Sequence, residues 1–145
     1  MPSIQIEKTI KSTPEKVFDV VAHLDVFALA VPSIRAAECL TDIERGVGCQ
    51  YRVARLIAGR ERSTIFEVVE YEPIEMVRIM SEAGGATWDA TFDIYKKGKS
   101  TQLVWTLDGK PQTLKARMAA PLVMGGIERV LAPDLDAVKI YCERG

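Results

Sequence analysis

From Arg35 to Gly109 the chain alternates apolar and polar residues in six consecutive runs, joined by almost nothing. The alternation predicts strands over 35–43, 47–57, 60–71, 75–82, 87–96 and 100–109, with joints that read "ERGVG", "AG", "EP", "GG" and "KKGK". Parallel neighbours need a crossover of a dozen residues or more, so joints this short admit only antiparallel ones. The middle of the chain is thereby committed to an antiparallel meander.

The flanks carry different periods. "SIQIEKTIK" alternates around Ile4 and Ile6 and predicts one more strand. In "STPEKVFDVVAHLD", Ser12 or Thr13 can cap a helix, Pro14 suits its first turn, and Val17, Val20, Val21 and Leu24 share one face. "VFALAVPSI" predicts a second short helix that stops near Pro32. The end, "LVMGGIERVLAPDLDAVKIYCERG" over 122–145, has the spacing of a long amphipathic helix, with Ile127, Leu131, Leu135, Val138 and Cys142 toward the sheet. Yet Gly125 and Gly126 each cost roughly 1 kcal/mol inside a helix and Pro133 about 3. A bend and room for a guest would explain them, as would close backbone packing or a break between two helices.

Composition limits the function. The chain has 145 residues, 48% hydrophobic and 27% charged, with no repeat or linker, so one α+β domain over 1–145 is expected. A formal net charge of -1 leaves no basic excess of the kind that a nucleic-acid or anionic-membrane binder usually carries, so polyanion partners are disfavoured on overall charge. No apolar run reaches the roughly 18 residues of a transmembrane segment, and the start lacks a signal-peptide pattern, so a cytoplasmic location is expected. Cys39, Cys49 and Cys142 show no CxxC, and His23 is the only histidine, so neither a metal site nor a cofactor is expected. Since His23 lies off the Val17 face by wheel angle, it is expected in solvent. No nucleophile, phosphate-loop or dinucleotide motif is present, so no catalytic residue is assigned.

The order of strand, two short helices, meander and long helix resembles the helix-grip fold of the START-like (SRPBCC) superfamily. That group includes birch-pollen-allergen-like proteins, polyketide cyclase/dehydrases and coenzyme Q-binding proteins. The resemblance covers nearly the whole chain and rests on "STPEKVFDVVAHLD", "GVGCQYRV", "VVEYEPIEMVRI", "GKSTQLVWTL" and "LDAVKIYCE". It implies a curved antiparallel sheet of about seven strands gripping the terminal helix, with a cavity between them. It also implies a hydrophobic or amphipathic ligand, such as a lipid, an isoprenoid or quinone, or a polyketide-like compound. The alternative is a cyclase, aromatase or dehydratase that uses the same cavity, with Tyr51, Arg55, Arg62 and Tyr71 as proton donors or enolate stabilisers.

Parity selects the residues that would meet such a guest. "TWDATFDIY" puts Trp88 and Phe92 on one face and Asp89 and Asp93 on the other, and the next strand adds Leu103 and Trp105 inward. A two-residue turn at Ala58-Gly59 pairs Val53 with Thr64, Tyr51 with Phe66 and Arg55 with Arg62. Two arginines directly opposite repel unless an anion or a carboxylate lies between them. Arg55 and Arg62, with Arg78, are therefore expected either to hold the acidic end of a ligand or to be solvated rim charges. Met118 and Leu122 are expected as adaptable cavity wall. A protein partner around "FALAVPSI", contacting Phe27, and a homodimer are left open.

Overall fold

The computed structural model describes residues 3–144. Its elements are β1 (Ser3–Ile10), α1 (Pro14–Ala22), α2 (Leu24–Ala30), β2 (Ile34–Cys39), β3 (Gln50–Ile57), β4 (Arg60–Glu72), β5 (Met76–Ala83), β6 (Ala86–Lys97), β7 (Ser100–Pro111) and α3 (Leu114–Glu143). The seven strands form one antiparallel sheet in the order β1-β7-β6-β5-β4-β3-β2. Only β1 breaks sequence order, closing on β7 with Ile6 opposite Trp105. Register shifts in β2–β3 and β4–β5 bend the strands where they occur, which helps the sheet to curve.

Local chemistry explains these elements. At Ala58-Gly59 both residues have positive φ, 51° and 79°, as the tight hairpin turn with matching twist requires. That turn fixes the predicted register: Tyr51 opposite Phe66, Val53 opposite Thr64, Arg55 opposite Arg62. Thr13 caps α1 by accepting from the Lys16 backbone N–H at 3.2 Å, with Pro14 in the first turn. Val17, Val20 and Val21 of α1 are fully buried against the concave face of the sheet.

The terminal helix is a single element of thirty residues that runs through Pro121 and Pro133. It begins earlier than its sequence pattern suggests, at a Thr113 cap that accepts from the Ala116 N–H at 3.0 Å. A break into two helices is therefore ruled out. Close backbone packing at the glycine pair is ruled out too, since a Cβ at Gly125 or Gly126 would meet nothing within 4 Å. Leu135, Val138 and Cys142 pack into the core as expected, whereas Ile127 and Leu131 are only partly buried.

Candidate functional site

Between the concave sheet face, α2 and the middle of α3 lies a mostly apolar cavity of about 210 Å³. Every strand from β3 to β7 contributes its inward positions, α2 supplies Phe27, and α3 supplies Ile127 and Leu131. Phe92 and Trp105 stack with ring centroids 4.9 Å apart, and Phe27 packs edge-on to Trp105 at 6.5 Å. These rings form one wall. The Trp105 indole Nε1 is buried and, among the described residues, has no hydrogen-bond partner. A buried N–H without an acceptor is costly, and such groups are rare in native structures.

The opposite end carries the arginines. Arg55 donates to both oxygens of Asp134 on α3, at 3.2 and 2.6 Å, which fastens the sheet to the helix just past Pro133. The protein thus supplies a carboxylate to Arg55 but not, among the described residues, to Arg62 opposite it. Burial pushes the Asp134 carboxyl above its ordinary value, and the guanidinium reverses only part of that rise. Arg62 also lines the cavity but is exposed, and among the described residues no side chain pairs with it. One cation is therefore free at the mouth.

A second space of about 280 Å³ lies under the first half of α3, beside Gly84, Gly109, Ala116, Ala120 and Val123. Trp88 belongs to the walls of both spaces. Its position depends on Gly109, where a Cβ would stand 2.6 Å from the indole Cζ3. Trp88 therefore lies flat over Gly109 and does not meet Trp105. Its N–H is satisfied by the Ala83 carbonyl at 3.1 Å.

The cavity brings together Val53, Arg55, Arg62, Thr64, Phe66, Trp88, Phe92 and Trp105 from the sequence-derived set. Leu103 is fully buried core, away from the lining. Tyr51 is buried as well, but Arg45 reaches its hydroxyl at 3.3 Å while clasping Asp25, and burial together with the Asp25 charge pushes the phenol up to about 12. Met118 and Leu122 are 75% and 85% exposed, on the outer side of α3. Arg78 lies on the outer sheet face, held by Asp89 at 2.6 Å and Glu70 at 2.9 Å. Phe27 is buried in the cavity wall and unavailable to a protein partner.

His23 is also not a solvent residue. It caps the junction of α1 and α2, with Nδ1 2.9 Å from Asp19 and Nε2 2.8 Å from the Tyr71 hydroxyl. Sequence reasoning missed Asp134 and this triad because their partners lie 79 and 48 residues away. No group of metal-ligating side chains is present among the described residues. Among them, no helix is long and apolar enough to cross a membrane.

The family described as polyketide cyclase/dehydrase and lipid transport matches residues 1–143. A START superfamily protein from Mycobacterium smegmatis is similar in structure, with 20% identity and a TM-score of 0.80 over 98% of this chain and 97% of that one. The Zhui aromatase/cyclase from Streptomyces sp. R1128 aligns at 17% identity and a TM-score of 0.80, over 99% of this chain and 94% of that one. Ara h 8.0201 aligns at 12% identity and a TM-score of 0.78, over 99% of both chains. At these identities the likeness is one of fold. No curated protein matches the sequence.

Proposed function

The chain belongs to the polyketide cyclase/dehydrase and lipid transport family, and from that premise we propose that it binds and carries an amphipathic small molecule. The observation that carries this reading is the apolar cavity with a stacked aromatic wall at one end and the unpaired Arg62 at its mouth. The apolar body of the ligand lies against Phe92 and Trp105, and an acidic or otherwise polar end meets Arg62. A ligand oxygen near Trp105 would also satisfy its orphaned N–H.

Size refines the reading. A void of about 150 Å³ accommodates benzene, so 210 Å³ accepts a body not much larger than one ring while α3 stays in place. Drug-sized ligands occupy pockets of roughly 300–1,000 Å³. A lipid or polycyclic guest therefore requires the cavity to open past Trp88 into the second space, and the first half of α3, which roofs that space, to lift. Gly125 and Gly126, with open space around them, are where it can yield.

The test begins with native mass spectrometry of freshly purified protein and organic extraction of anything it carries. Uptake of a fluorescent fatty acid by the extracted protein is then compared with that of Ala90→Leu, since Ala90 lines the cavity. A real void accepts the larger side chain at little cost in stability, and uptake falls on the order of tenfold, about 1.4 kcal/mol. Unchanged uptake with a stability loss of about 1–3 kcal/mol, the signature of an overpacked core, would sink the proposal.

One observation favours the enzyme alternative, in which the cavity of a cyclase or dehydratase is served by a perturbed acid. Asp134 is such a group, buried beside the cavity-lining Arg55 with its carboxyl raised. Incubation with a β-hydroxy thioester separates a carrier from a dehydratase, since the carrier returns it at unchanged mass and the dehydratase returns it lighter by water. With a poly-β-keto thioester, whose ring closure by aldol addition keeps the mass, a cyclase is read by a change in retention time and absorbance over the enzyme-free control.

A further inference from the structure

The first half of α3 has two apolar faces, and only one of them looks at the sheet. Ala116, Ala119, Ala120, Val123 and Met124 line the space beneath it. Opposite them, Leu114, Met118 and Leu122 follow one another at four-residue spacing and are 72%, 75% and 85% exposed. Single exposed apolar residues are ordinary, but a line of three large ones on one helix face marks an interaction surface.

Charge identifies the occupant. At about 100° per residue Lys115 and Arg117 fall on opposite sides of that line. The structure agrees: Lys115 borders the space toward Trp88, and Arg117 stands with Lys110 at the other flank, beside Ser3. No Asp or Glu occurs from Gly109 to Ile127. The first turn of α3 has no acidic residue, and cations there oppose the positive end of the helix dipole. Within the fold this placement is unfavourable, whereas an external anion compensates it. A second copy of the chain does not fit, because a twofold contact on this face would set these cations against one another.

The geometry points to an anionic phospholipid surface as the partner of this face: Leu114, Met118 and Leu122 enter the headgroup boundary while Lys110, Lys115 and Arg117 meet phosphates. A convex apolar line with flanking basic residues is the arrangement of a helix lying in the membrane interface. The same half of the helix roofs the space that shares Trp88 with the cavity, so docking brings the bilayer to the gate.

Vesicle flotation of extracted, ligand-free protein tests this without reference to the cavity. Vesicles of phosphatidylcholine alone are compared with vesicles that also contain phosphatidylglycerol. The full chain is expected to float with the anionic vesicles only, increasingly weakly as salt rises. Leu122→Glu reduces the bound fraction at least about tenfold, Lys115→Gln with Arg117→Gln weakens it, and Leu29→Glu on α2 leaves it unchanged. All these positions are exposed, and thermal unfolding checks that the fold is retained. Absence of flotation with anionic vesicles, or flotation indifferent to Leu122→Glu, overturns the inference. So does a dimer that Leu122→Glu dissolves while vesicles are ignored. Loss of fatty-acid uptake in the Ala90→Leu experiment would leave this result untouched, so the two proposals fail separately.

Discussion

The two halves of α3 share one backbone and have opposite relations to the sheet. Beyond Pro133 the helix is core: Leu135 and Val138 are fully buried, Asp134 and Cys142 are nearly so, and Asp136 pairs with Lys8 of β1. Lys139 adds a bond to the Thr9 carbonyl at 2.9 Å. Before Gly125 the helix stands over open space, with Leu114, Met118 and Leu122 outward and, apart from Val123 and Met124, alanines inward. The lesson is that continuity of a helix says little about uniformity of its stability. Local opening follows buried contacts, and these are concentrated in the second half.

Removing the bond between helix and sheet should produce the largest effect. Arg55→Met leaves a buried carboxylate unpaired and costs about 3–5 kcal/mol in chemical unfolding at neutral pH. The sign with pH follows from Asp134. Its carboxyl is already raised by burial, so acidification protonates it and removes the unpaired charge, and the deficit of the variant shrinks as pH falls. A deficit that grows on acidification would contradict this assignment. Next comes a matched pair of truncations: Leu135→Ala should cost about 2–5 kcal/mol and Leu122→Ala less than about 0.5. Comparable losses would mean that both halves belong to one packed core.

The smallest effect has the opposite direction. Gly125→Ala and Gly126→Ala each stabilise by roughly 1 kcal/mol, because a Cβ there meets nothing and the helix interior favours alanine. If the first half is the gate, the same changes slow the release of a bound fatty acid, read by stopped-flow displacement. Added stability without slower release would detach the glycines from gating.

Legibility in the sequence followed the range of the interactions. Strands, turns and the β3–β4 register were readable because a two-residue turn and alternating parity are local rules, so the facing of Val53, Arg55, Arg62, Thr64 and Phe66 came with them. Local rules failed at His23, where a wheel angle has no meaning because the residue is the non-helical cap between two helices. They failed at Met118 and Leu122 because a segment with two apolar faces does not declare which one turns inward. Arg78 could not be decided between ligand contact and rim charge because its company, Glu70 and Asp89, comes from neighbouring strands on the outer face. Asp134 was invisible because its partner is 79 residues distant.

The closure of β1 on β7 has a consequence for how this molecule is made. Ile6 leaves the ribosome long before Trp105 exists to pair with it, and the helix that packs beside it comes later still. Contacts between distant parts of a chain slow folding, and unpaired strand edges invite aggregation while they wait. The meander from β2 to β7 can assemble as it emerges, hairpin by hairpin. β1 is made long before the strand that satisfies it, so overproduction in a host short of chaperones should expose the weakness of the fold at β1 first.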